Sequence, residues 1–193
     1  MIEDTLDAVL QQQLISPSFR IYDRLTRKTL LVPGTKAVYK MIRAGVLEGF
    51  RATMGKSMGA FVEFLVQKFR VPKKAFDERL SGLPANDNTV DARLKFIMVV
   101  SALREHWQNL AYEEVLSELR ALLMRRGIAE ADVTRDKLNS VLSLHFGQDF
   151  SHLVNLYVVR LWGKVAGIPV KIRPARLSIV NRLVANLVKI LKK

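Results

Sequence analysis

The sequence contains no cysteine. Disulfides and thiolate metal sites are therefore excluded, and the composition fits a reducing compartment, so a cytoplasmic location is expected. Long apolar runs are missing too. A membrane-spanning helix needs ~18 or more apolar residues with few charges, whereas the longest uncharged run, Ala8 to Phe19, is broken by Gln11, Gln12, Gln13 and Pro17. No bilayer crossing is expected. The opening stretch MIEDTLDAVLQQQ carries three acids and no base. That is unlike the basic start of a secretory or transit peptide, so no cleaved leader is expected.

Acid is absent from one long stretch as well. The last acidic residue is Asp149, and residues 151–193 hold nine bases and no acid. Over the whole chain, 31 Lys and Arg stand against 18 Asp and Glu, a net charge of +13. The excess is uneven: −3 over 1–19, +9 over 20–80, −2 over 81–150 and +9 over 151–193. Two basic blocks flank a nearly neutral middle. A charge of this size points to a polyanionic partner, either nucleic acid or an anionic membrane surface.

What is present is enough for an autonomous core. A chain of 193 residues with 49% hydrophobic content can bury ~70% of the surface it exposes when unfolded. A single domain over 1–193 is expected, with a possible subdomain joint in the turn-rich stretch SGLPANDNT, residues 81–89. Apolar residues recur at spacings of three and four, while long alternating runs are missing. This predicts an all-α, compact multi-helix bundle of about eight to ten helices without a substantial sheet. The helices are expected over 3–14, 18–28, 34–54, 57–70, 73–82, 89–108, 112–126, 134–146, 150–165 and 175–192. Pro17, Pro33 and Pro72 lie at helix starts, and Gly127 follows the basic helix end Arg125-Arg126.

The stretch GFRATMGKSMG, residues 49–59, contains a Gly-Lys-Ser that resembles the end of a phosphate-binding loop. The loop needs a glycine five residues before the second one, and Phe50 occupies that position. The residues Val38, Ile42, Val46, Phe50, Met54 and Met58 also step by four, as a helical row does. Gly45, Gly49, Gly55 and Gly59 are therefore read as helix-packing or helix-breaking glycines rather than a phosphate cradle.

Three stretches are candidate sites. On one helix Lys36, Lys40, Arg43 and Arg51 fall within about 80° of one another and span ~22 Å. With Lys73, Lys74, Lys171, Arg173 and Arg176 they form the candidate nucleic-acid-binding set, each contacting backbone phosphates; a solvated helix face is the alternative. The second stretch is the C-terminal helix, whose apolar residues fill half its circumference. Leu177, Val180, Val184, Leu187 and Leu191 step 3-4-3-4 as a coiled-coil seam does. With Leu183 they are the candidate face for a protein partner, a second copy or a membrane, unless the helix docks on the chain's own core.

The third stretch, SLHFGQDFSHL, sets His145, Asp149 and His152 at helical spacing. Gly147 interrupts it and no fourth ligand or thiolate is near, so a metal site is not expected. A helix-turn-helix would place Arg135, Lys137, Asn139 and Ser140 in a DNA groove, but the break from Gly127 to Val133 is longer than that motif's turn. No pair of carboxylates or nucleophile–base combination stands in an apolar setting. The expectation is a non-enzymatic binding protein without a cofactor. Nucleic acid is its expected partner; an adaptor or oligomer subunit and a peripheral membrane protein are the alternatives.

Overall fold

The computed structural model describes Ala8 and residues 20–23, 28–31, 35–81 and 91–192. Its elements are the strands β1 (Arg20–Asp23) and β2 (Lys28–Leu31), then the helices α1 (Thr35–Ala52), α2 (Met58–Phe69), α3 (Lys74–Leu80), α4 (Ala92–Arg125), α5 (Arg135–Ala166) and α6 (Arg173–Leu191). The fold is helical, as expected, but six α-helices are found among the described residues rather than eight to ten.

Two mergers, one reversal and one expected helix outside the described residues account for the smaller number. The helices expected over 89–108 and 112–126 are one 34-residue helix, α4. The intervening Asn109, Leu110 and Ala111 include no glycine or proline to stop it. The helices expected over 134–146 and 150–165 join across a kink at Phe146, whose φ of −135° and ψ of 25° leave the helical region. The stretch expected as helix 18–28 instead contributes β1, which pairs antiparallel with β2 in the register Arg20↔Leu31 to Asp23↔Lys28. Ile21, Tyr22 and Thr29 have strand-favouring side chains, and the short connection suits a hairpin. The helix expected over 3–14 and the loop over 81–89 lie outside the described residues, apart from Ala8 and Ser81.

The glycine-rich stretch folds as the helical row predicts. Val38, Ile42, Val46 and Phe50 form the buried side of α1. Gly55 takes a positive φ of 77° and ends the turn after α1, and the Ser57 hydroxyl caps α2 by accepting from the Ala60 N–H at 3.3 Å. Gly45 and Gly49 let the aromatic rings of α2 lie on the α1 backbone. A Cβ on Gly49 would stand 2.5 Å from Cδ1 of Phe64, and one on Gly45 would stand 2.8 Å from Cζ of Phe69.

This close approach sets a contrast between two glycines. Gly49→Ala should destabilise the protein by up to about 2 kcal/mol, because overpacking of about 1 to 3 kcal/mol exceeds the helix-propensity gain. Gly59→Ala meets nothing nearer than the Ser57 hydroxyl at 3.6 Å. It should stabilise by about 0.5 to 1 kcal/mol. Urea denaturation of the two variants beside wild type reads both signs.

Buried side chains form one continuous cluster from Val38 to Leu187. Aromatic contacts run through it: Tyr39 to Trp162, Trp162 to Trp107 and Trp107 to Phe69, with Phe50, Phe61 and Phe96 grouped beside them. Leu153, Leu156, Tyr157, Val158 and Trp162 make the second half of α5 a central element.

Helix α6 buries its apolar face in this core. Val180, Leu183, Val184 and Leu187 are 3%, 0%, 7% and 0% exposed, and Leu191 packs partly buried against the same cluster. Of the six residues proposed for a partner or membrane face, only Leu177 is exposed. That assignment is corrected: the face is internal. Two ion pairs hold it there. Arg176 binds Glu118 of α4, and Arg182 grips Asp149 of α5 through two bonds of 2.9 Å.

Candidate polyanion-binding surface

Most described acids of the neutral middle are paired within the chain. On α4, Glu113, Glu114 and Glu118 pair with Arg135, Arg160 and Arg176. Glu130 pairs with Arg120, Asp132 with Lys137, and Asp149 with Arg182. Arg176 also donates to the Tyr157 hydroxyl at 2.9 Å, while the Arg160 guanidinium lies over the Tyr157 ring, 4.3 Å from its centre. Burial pushes the Glu118 carboxyl above its ordinary range, opposed by Arg160 and reinforced by Glu114.

These pairings remove several earlier candidates. Arg176 was expected to meet phosphate, but its guanidinium is held by Glu118 and Tyr157. Asp149 is taken by Arg182, and no group of three or more metal-binding side chains occurs among the described residues. Three of the four helix-turn-helix residues are similarly committed: Arg135 to Glu113, Lys137 to Asp132, and Asn139 to the Tyr112 hydroxyl.

The basic row on α1 is not one open face. Leu47 lies within the same angular sector as Lys36 and Lys40, yet it is 8% exposed. Arg43 is half-buried, and Arg51 is exposed near the far end of the helix. Lys74 lines a groove of about 500 Å³ between α3 and α4 that also holds Glu78, Arg79, Glu105 and His106. There Arg79 pairs with Glu105, so the charges around Lys74 are mixed. Lys73, beside it, is exposed. Burial lowers the His106 imidazole below its ordinary range.

Other cations have no carboxylate partner among the described residues. Tyr39 of α1 meets Trp162 near the end of α5 with ring centres 6.4 Å apart. The next residue, Gly163, lies so close to Val170 that an added Cβ would come within 2.8 Å of its Cγ2. This chain of contacts sets the first turns of α1 beside the α5–α6 connection. Lys36, Lys40, Lys164, Lys171 and Arg173 are exposed there, and none of the ion pairs among the described residues includes them. Both basic blocks thus place exposed cations on elements that pack against one another.

A second group was missed by sequence reasoning. Arg126, at the end of α4, and Lys189 and Lys192, at the end of α6, line one groove of about 630 Å³. The acid-free stretch after Asp149 was the available signal for the two lysines. Arg126 had been read only as part of a helix stop.

Comparison of the chain with protein-family models, with curated proteins and with solved structures gives no match.

Proposed function

We propose that this protein binds nucleic acid through its backbone phosphates, without a catalytic role, and that Lys36, Lys40, Lys171 and Arg173, joined by Lys164, make the contacts. One observation carries this reading: most described carboxylates of the middle segment are engaged by arginines and lysines of the chain, while these five cations are exposed and absent from the ion pairs among the described residues. Such a surplus attracts a polyanion at long range and gains further when condensed counterions leave the phosphates. Burial of Val180, Leu183, Val184 and Leu187 weighs against both alternatives, because the adaptor and membrane readings require that apolar face outside.

Fluorescence anisotropy with a labelled DNA duplex tests the reading. If about six phosphates are engaged, raising salt from about 50 to 200 mM should weaken binding on the order of 10³-fold. Affinity that is flat across this range would exclude backbone contact as the main attraction.

A further inference from the structure

The groove between the ends of α4 and α6 has chemistry that the surface at the start of α1 lacks. Its lining combines Leu122, Val184 and Val188 with Asn181 and the cations Arg126, Lys189 and Lys192, and among the described residues no carboxylate lines it. The helices run side by side in the same direction here: Glu118 of α4 meets Arg176 early in α6, while Leu122 and Arg126 share the groove with later residues of α6. Both helix C-termini therefore come to the groove, each contributing about half a negative charge from its last carbonyls. Basic residues in last turns ordinarily balance that charge. Among the described residues three lining cations stand against these two helix ends, which favours an anionic ligand.

We infer that this groove is a docking site for single-stranded nucleic acid, resting on the nucleic-acid reading above and naming a strand class and a second contact surface for it. Phosphates lie on Arg126, Lys189 and Lys192, and sugars or base faces cover the half-buried Leu122 and Val188. Single-strand sites pair a basic groove with aromatic side chains on which bases stack; here the aliphatic Leu122 and Val188 supply the apolar surface instead. A duplex keeps its base faces stacked inside and presents phosphate ridges, so it gains from the cations and leaves the apolar floor uncovered. The strand is thereby favoured over the duplex in this groove, whereas the lysines at the start of α1 serve both.

The test compares wild type, the triple variant Arg126→Ala/Lys189→Ala/Lys192→Ala, and the quadruple variant Lys36→Gln/Lys40→Gln/Lys171→Gln/Arg173→Gln. Each is titrated by anisotropy with a labelled single strand of about 20 nucleotides and with the matching duplex. All substituted side chains are exposed, and circular dichroism melts check that every variant folds. For three phosphate contacts the triple variant should lose single-strand affinity by roughly 10²-fold at 0.1 M salt, with the slope against log salt shallower by about 2. Its duplex affinity should change much less. If the triple variant binds the strand as wild type does while the quadruple variant loses binding, the groove assignment is wrong and the functional reading survives. Equal losses for strand and duplex in the triple variant would overturn the strand preference. Failure of wild type to bind either probe would overturn both.

Discussion

Arg182→Met should lower the folding free energy by about 3 to 5 kcal/mol. The Asp149 carboxylate receives both guanidinium bonds at 2.9 Å, and the two side chains are only 12% and 14% exposed. Removing the guanidinium leaves a carboxylate taken out of water with its cation gone, and that desolvation cost is the source of the loss. Replacing both partners, as Asp149→Leu/Arg182→Met, removes the stranded charge and should recover most of the stability. Urea denaturation followed by helical ellipticity measures all three proteins. If single and double variants are equally destabilised, the ion pair does not hold α6 in the way described.

Leu183→Ala should cost about 2 to 5 kcal/mol, the range for truncating a buried leucine in a packed core. Leu183 is 0% exposed and sits among Ile179, Val180 and Leu187, all in the central cluster. Leu177→Ala is the internal comparison, since Leu177 is 39% exposed. Its cost should stay below about 1 kcal/mol. Were the apolar side of α6 a partner surface instead, Leu183→Ala would leave monomer stability unchanged and weaken association. Thermal melts beside light scattering separate the two results.

The helical class and most helix starts were legible because periodicity and punctuation are local. Val38, Ile42, Val46 and Phe50 announced the buried side of α1, and Gly127 marked the end of α4, where its φ is 79°. Gly49 could be assigned to packing from spacing alone, although the rings that press on it, Phe64 and Phe61, could not be named. What stayed hidden depends on tertiary partners. Continuity through Asn109 and across the Phe146 kink joins stretches whose local patterns read as separate helices. The hairpin at Arg20–Asp23 is decided by pairing with Lys28–Leu31.

The candidate surface was legible only as a quantity of charge. Counting bases gave the surplus and its two blocks, but which base already has a partner is a matter of geometry. Arg176 and Arg173 are three residues apart on α6; the first reaches Glu118 and Tyr157, and the second stays exposed. Leu47 interrupts the α1 row for the same reason, since a wheel of basic positions passes over an apolar residue in the same sector. The groove at Arg126, Lys189 and Lys192 needed the parallel course of α4 and α6, which no single stretch of sequence specifies.

The most direct test of the central claim, that unspent cations from both basic blocks hold a phosphate backbone, is the salt dependence of duplex affinity in wild type and in Lys36→Gln/Lys40→Gln/Lys171→Gln/Arg173→Gln. The account predicts a steep slope for wild type and one shallower by about 3 to 4 in the variant, with the melting temperature little changed. Identical slopes for the two proteins would contradict it.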